Sequence, residues 1–164
     1  MTSLTLFTPS GVLLKAAPLR LAAKRLAAMG FAVTIDEAAL AKQQRFGGSD
    51  EQRLQALHRV ATEAPSIAMA TRGGYGLTRL LDRIDWKKLK RSVDKGTRWV
   101  GYSDMTALQM GLLAHTGAPT WCGPLAADDF GREVLDEVTP DCFAEAMSGE
   151  LEAVGFRTEA GFDG

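Results

Sequence analysis

The chain has 164 residues, 46% hydrophobic and 24% charged, with 19 basic against 20 acidic side chains and a formal net charge of −1 at pH 7. That length suits one α/β-sized domain with a real core, and the balanced charge argues against nucleic acid or any other polyanion as partner. The amino end, Met1 to Phe7, lacks the basic and long apolar regions of a secretory signal, and no later run approaches a membrane span, so a soluble, cytoplasmic protein with no membrane partner is expected. Cys122 and Cys142 are too few and too unpatterned for a disulfide framework or a zinc site, and no metal or cofactor is expected.

In chain order, Leu4 to Thr8 is a short apolar strand that runs into Pro9-Ser10-Gly11, residues that mark a turn at the strand's carboxyl end. Pro18 is expected to open a helix at the position where its missing N–H costs nothing, with Leu19, Ala22, Leu26 and Met29 as its apolar stripe and Gly30 as its end. Phe31 to Ile35 is nearly continuous apolar sequence, the pattern of a strand covered on both faces, so the first unit reads as βαβ with a parallel pair. Arg45-Phe46-Gly47-Gly48 reads as a loop. Ser49 with Gln52 then forms a capping box for a second helix, whose inner face carries Leu54, Leu57 and Ala61. His58 lies on the edge of that face and is given no role. Pro65 ends the helical segment, and Ser66 to Ala70 is the third strand.

Thr71-Arg72-Gly73-Gly74-Tyr75-Gly76 follows, ahead of a helix expected to carry Leu77, Leu80 and Leu81. Glycines at this density between strand and helix allow positive φ and leave backbone N–H groups uncovered, which is how a chain builds an anion nest. Arg72 adds a guanidinium that can grip a carboxylate or phosphate by two bonds. A plain tight turn, its glycines serving only strand–helix packing, explains the loop equally well. It is not a dinucleotide fingerprint, since G-x-G-x-x-G is absent.

Asp85 to Lys95 reads as a short basic helix anchored by Trp86 and Leu89, its lysines a solvated face. Thr97 to Tyr102 suits the end of a buried strand, and Met105 to Thr116 is helix-forming and apolar nearly all round, so this helix is expected to be buried and central. Ser103 stands at the corner. A serine on a tight strand-to-helix turn has its Oγ pushed out above the sheet, and the amides that open the helix point at negative charge developing beside it. Taken alone, the stretch reads first as an ordinary N-cap by Ser103 or Asp104 and second as a nucleophile elbow. An elbow requires Ser103 at positive φ and the Gly73-Gly74 turn beside it; a cap requires extended angles. Pro119 to Cys122 is a further short strand, Gly123-Pro124 turns it, an acidic loop follows, and Thr139-Pro140 is expected to cap and open a last helix through Met147. Cys122 is read as an inert buried thiol.

Pro9-Ser10-Gly11, Arg72-Gly73-Gly74-Tyr75-Gly76, Gly101-Tyr102-Ser103-Asp104-Met105-Thr106-Ala107-Leu108 and Gly123-Pro124, in this order and spacing, resemble the amino-terminal domain of the LD-carboxypeptidase family. That family includes murein tetrapeptide carboxypeptidases and the microcin C immunity peptidases. The resemblance covers Leu4 to about Gly149. One departure is visible: many members carry histidine directly before the Gly-Pro pair, where this chain has Cys122.

The resemblance implies an α/β fold with a mostly parallel sheet flanked by helices, Rossmann-like and similar to class I glutamine amidotransferases. It implies a serine-type carboxypeptidase with Ser103 as nucleophile, an oxyanion hole from the backbone amides of Asp104 and Gly74, and Arg72, Gly73 and Tyr75 holding a small peptide substrate. It further implies removal of the terminal D-amino acid from murein tetrapeptide in cell-wall recycling, or cleavage of a peptidyl-nucleotide, by a homodimer. In the family the triad's glutamate and histidine belong to a carboxyl-terminal domain. His115, twelve residues along the same helix from Ser103, is about 18 Å away and out of reach. The expected division is therefore a nucleophile-bearing domain over 1–149 and the start of a linker over 150–164. Two readings of other classes stay open: a phosphate- or anion-binding α/β module without covalent chemistry, and a domain that only dimerises.

Overall fold

The computed structural model describes residues 1–151. Five strands, β1 (Ser3–Phe7), β2 (Ala32–Ile35), β3 (Ile67–Ala70), β4 (Arg98–Gly101) and β5 (Trp121–Cys122), form one sheet in the order β2-β1-β3-β4-β5, every neighbouring pair parallel. Five α-helices accompany them: α1 (Ala16–Ala28), α2 (Asp50–Glu63), α3 (Trp86–Asp94), α4 (Met105–Thr116) and α5 (Val138–Ser148). From β1 the chain passes outward to β2, then returns past β1 to β3 and proceeds the other way. In open parallel sheets that reversal leaves a crevice at the carboxyl ends of the strands.

Side chains alternate along each strand, so the sheet feeds two cores. Leu4, Leu6, Ile67, Met69 and Val100 pack with Leu19 and Leu26 of α1 and Phe143 of α5. Phe7, Ala68, Ala70 and Trp99 pack with residues of α2, α3 and α4, among them Leu57, Leu89, Leu108 and Leu112. Trp99 is fully buried, meets Phe7 edge-to-face at 5.4 Å and donates its indole N–H to Ser92 Oγ at 3.0 Å. Burying a side chain of this size with its one polar atom satisfied fixes β4 firmly under the helices.

Several sequence expectations are met. The capping box forms in both directions, Gln52 N–H to Ser49 Oγ at 3.1 Å and Ser49 N–H to Gln52 Oε1 at 2.9 Å. Others need correction. β2 is an edge strand with Ala32, Thr34 and Ile35 exposed, because it ends the sheet where covering helices do not reach both faces. α1 begins at Ala16, so Pro18 is its third residue; this is still the first turn, where an N–H has no helical partner. The segment after the glycine loop is not an α-helix but two 3₁₀ turns, Leu77–Arg79 and Leu81–Arg83, joined at Leu80; Leu77 and Leu80, three apart, both reach the core. Part of the expected acidic loop is a wide π-type turn, Ala126–Phe130.

α4 is buried along Met105, Leu108, Gln109 and Leu112 only. It packs on the sheet and α3 with one side, leaving Met110 and Leu113 about half exposed, so it is not the all-round buried helix its composition suggests. α5 begins at Val138, capped by Asp136 Oδ1, which accepts from the N–H groups of Val138 and Thr139 at 2.9 and 2.7 Å, and not by Thr139. No helix among the described residues is long and apolar enough to cross a membrane. The linker expected over 150–164 lies almost wholly outside the described residues.

Candidate active site

The loops that leave β1, β3 and β4 meet at the carboxyl edge of the sheet. At the end of β4, Ser103 has φ +62°, a left-handed conformation that a residue with a side chain adopts at a cost of about 1–3 kcal/mol. Ser103 is exposed, and its carbonyl accepts the Thr106 N–H at 3.0 Å, so the helix starts directly from the strained residue. Asp104 has φ −59° and ψ −25° and makes no side-chain cap bond to α4. Neither residue is therefore the ordinary N-cap. Instead the Asp104 carboxylate crosses to the next loop and accepts the Leu77 N–H at 3.0 Å.

The Gly73-Gly74 turn lies against this elbow. A methyl placed on Gly73 would come within 2.8 Å of Ser103 Oγ and 2.9 Å of Ser103 Cβ, which leaves room for hydrogen alone. Gly74 and Gly76 have φ +114° and +121°, so the loop needs glycine there for its backbone as well. Among the described residues, no protein group accepts a hydrogen bond from the amides of Asp104 or Gly74. Two uncommitted N–H groups thus lie on the two loops that flank the Ser103 hydroxyl, the arrangement an oxyanion hole needs.

The glycine loop is pinned from several sides. Gly73 O accepts the Gly11 N–H at 3.0 Å, Thr71 O accepts the Ala127 N–H at 2.7 Å, and Thr71 Oγ1 meets Thr8 Oγ1 at 2.8 Å. Arg72 is half-buried and donates from Nη1 to Val12 O at 2.9 Å, which braces the loop after β1; its Nε is buried without a partner. Tyr75, at the loop's tip, is 70% exposed.

Beneath these loops lies Arg53, fully buried on the inner face of α2. Its Nη1 donates to Pro9 O at 2.8 Å and its Nη2 to Asp50 at 2.5 Å, and its guanidinium stacks over Phe46 at 5.0 Å. A methyl on Gly76 would touch Nη1 at 2.7 Å, so that glycine makes space for the arginine. Burial pulls the Arg53 pKa below its ordinary value, opposed by the hydrogen bond and charge of Asp50 and, more weakly, the charge of Asp104. Asp50 is held below the usual carboxylate range chiefly by its hydrogen bond to Arg79, with Arg53 adding to it.

The sequence reading missed Arg53 and the side-chain role of Asp104. A signal existed for the first: Arg53 is one helical turn ahead of Leu57, in register with the apolar stripe of α2, where a charged residue needs a buried partner. None existed for the second, because the acceptor role of Asp104 depends on how two loops meet.

The histidines lie elsewhere. His58 is half-buried and its Nε2 accepts the Asp85 N–H at 3.0 Å; burial, reinforced by the charge of Lys88, lowers its pKa. His115, in the last turn of α4, stacks on Trp86 at 4.9 Å. Cys122 is exposed, contrary to the buried thiol expected, because the two-residue β5 is itself a sheet edge. No group of three or more His, Cys, Asp or Glu among the described residues could hold a metal ion.

The family model described as LD-carboxypeptidase N-terminal domain matches residues 4–123. The murein tetrapeptide carboxypeptidase of Pseudomonas aeruginosa is 35% identical over 88 residues, 52% of this chain and 27% of that protein. Among solved structures, the muramoyltetrapeptide carboxypeptidase of Oxalobacter formigenes superposes with a TM-score of 0.78 at 32% identity, covering 90% of this chain and 48% of that one. An MccF-like protein from Bacillus anthracis superposes with a TM-score of 0.81 at 30% identity, covering 89% and 44%. The chain thus spans less than half the length of each of these relatives. Parallel sheet, elbow and glycine turn coincide with a family match over most of the strands that carry them, and the chain belongs to the LD-carboxypeptidase family through its amino-terminal domain.

Proposed function

We propose that this chain is the nucleophile-bearing half of a serine-type LD-carboxypeptidase, and that Ser103 attacks the amide ahead of a carboxyl-terminal residue. The observation that carries the reading is Ser103 at φ +62° with its side chain facing the Gly73-Gly74 turn. A strained residue persists where the surrounding structure over-determines it, and here the strained residue turns its hydroxyl toward the glycine turn.

In this reading Ser103 Oγ adds to the scissile carbonyl carbon while its proton passes to a base. The carbonyl oxygen, now negative, is held by the amides of Asp104 and Gly74. The C–N bond then breaks, the leaving amine takes the proton, and water releases the acyl group by the same steps in reverse. Arg72 and Tyr75 flank the turn and hold the substrate's terminal carboxylate, Arg72 through guanidinium N–H groups not engaged with Val12. The base and the carboxylate that orients it lie in a carboxyl-terminal domain reached through residues 150–164, as the family resemblance implies. The enzyme so completed is a cytoplasmic homodimer, and its substrate a murein tetrapeptide in cell-wall recycling.

The test is release of the terminal D-amino acid from murein tetrapeptide by the enzyme completed with its carboxyl-terminal domain, with a peptidyl-nucleotide as second substrate. Ser103→Ala in that enzyme abolishes turnover while the protein stays folded, because the side chain faces the cleft. The 164-residue chain alone shows negligible turnover. Undiminished release by Ser103→Ala overturns the assignment of the nucleophile.

A further inference from the structure

We infer that the side chain of Asp104 is a positioning strap that sets the spacing between the two halves of the oxyanion hole. The inference rests on the reading of Ser103 as nucleophile and concerns a different part of the same residue that supplies one oxyanion amide.

The glycine loop leaves β3 at Ala70 and enters its 3₁₀ turn at Leu77. Near its start the loop is tied down by Gly11 N–H on Gly73 O at 3.0 Å. At its far end the tie is the Asp104 carboxylate on the Leu77 N–H, also 3.0 Å. Between these pins stand Gly74 and Gly76, both at positive φ, with Tyr75 out in solvent. Two glycines among the three residues between the pins give this arc wide backbone freedom, so its shape is set by where its ends are held. One of those ends is held by the residue directly after the nucleophile.

The arrangement has a mechanical consequence. The backbone of Asp104 is fixed by the start of α4, so its own N–H stands in a constant relation to Ser103. Its side chain reaches the other loop, so the Gly74 N–H is held in relation to the same point. A carboxylate accepting a backbone N–H makes a charge-assisted bond, stronger than the neutral alternative. The Leu77 N–H belongs to the opening of a helical turn and has no partner within that turn. Leu77 is fully buried, so without Asp104 its N–H would be left unpaired away from water. Arg53 reinforces the geometry from below: it lies against Gly76 and is near enough to Asp104 for their opposite charges to attract.

The experiment compares Asp104→Ala, which removes the acceptor, with Asp104→Asn, which keeps an oxygen at the same position. Amide hydrogen exchange is measured on the 164-residue chain, where it needs no enzymatic activity. In Asp104→Ala the Leu77 amide exchanges faster by roughly tenfold or more, the scale of losing one hydrogen bond to a charged acceptor, while β3 and β4 amides keep their protection. In Asp104→Asn, which keeps the bond but loses its charge, the Leu77 amide exchanges at a rate between the parent and Asp104→Ala. In the completed enzyme, Asp104→Ala lowers kcat by about 10²-fold with little change in KM, the scale of losing one oxyanion donor, and Asp104→Asn restores most of it. Unchanged Leu77 exchange in Asp104→Ala, an equal loss of kcat in both variants, or no loss in Asp104→Ala each overturns the strap. Turnover that survives Ser103→Ala overturns the nucleophile reading instead, and the exchange measurement still decides whether the bond to Leu77 holds the loop.

Discussion

Gly73 is where the structure makes its sharpest quantitative demand. A Cβ there falls 2.8 Å from Ser103 Oγ and 2.9 Å from Ser103 Cβ, with Leu125 Cδ1 next at 3.7 Å. Rotating the serine relieves only the first clash, since Cβ does not move with χ1, so Gly73→Ala has to shift backbone on one of two pinned loops. Overpacking of that kind costs about 1–3 kcal/mol. Gly73 is not at positive φ, so alanine suffers no backbone penalty and recovers about 0.4–1 kcal/mol by restricting the unfolded chain. The expected net loss is about 1–2 kcal/mol, a fall in Tm of roughly 3–6 °C for a chain of this size. The control is Ser103→Gly, which removes both clashing atoms and suits φ +62°. That change alone stabilises by about 1 kcal/mol, the strain relieved less the entropy of an added glycine. In the Ser103→Gly background, Gly73→Ala should cost nothing, because the remaining neighbour is at ordinary van der Waals distance. Denaturant unfolding of the four proteins gives the coupling directly. Equal destabilisation by Gly73→Ala in both backgrounds would refute the claim that the glycine turn and the elbow are in contact.

Arg53→Met leaves Pro9 O unpaired and removes the cation between the loops, so it should destabilise by about 2–4 kcal/mol in urea unfolding, with Arg53→Lys recovering only part because one ammonium cannot reproduce the fork to Pro9 and Asp50. His58 gives a pH dependence: its folded pKa is lowered, chiefly by burial, and its neutral Nε2 accepts the Asp85 N–H. The unfolded chain therefore takes up the proton first, so this contribution is fully present above about pH 6.5 and is lost as pH falls below that value through the lower folded pKa. His58→Gln should flatten the stability profile between about pH 7 and 5; an unchanged profile would show that the imidazole contributes nothing there.

The parts of the fold carried by local chemistry were legible in the sequence. The Ser49–Gln52 capping box, the bounds of α3 and α4, and the runs that became β1, β3 and β4 each follow from propensity, capping or apolar run length acting over a few residues. The misread parts depend on place in the sheet. The apolar run before Ile35 looks like a central strand, yet only its position at the end of the order β2-β1-β3-β4-β5 decides that Ala32, Thr34 and Ile35 stay exposed. Likewise nothing within α4 says which apolar residues meet the core, and Met110 and Leu113 are left outside because, among the described residues, the helix packs with one side. In the candidate site, Ser103 and the glycine turn announce themselves because each breaks a local rule. Arg53 and the Asp104 carboxylate obey such rules well enough to pass unnoticed, since their partners are loops distant in sequence.

The strain at Ser103 is sustained by what stands on either side of it. Trp99 and Val100 before the corner, and Met105 and Leu108 after it, are all buried, and they face different cores: Val100 the α1 and α5 side, the other three the α2, α3 and α4 side. Relaxing Ser103 to an extended conformation would rotate α4 relative to β4 and lift Met105 and Leu108 from their contacts. Each fully buried side chain of that size is worth roughly 1.5–3 kcal/mol, so two of them outweigh the cost of one left-handed serine. The same comparison explains why glycine is not needed at position 103 for folding: the neighbouring residues enforce the angle that glycine would adopt freely. A hydroxyl there gains nothing for the core, since Ser103 is exposed, and no described protein group bonds to it. Gln44 and Ala64 are left-handed too, at φ +55° and +50°, so strain alone does not mark a site; what sets Ser103 apart is an exposed hydroxyl facing the Gly73-Gly74 turn, which suits the proposed nucleophile.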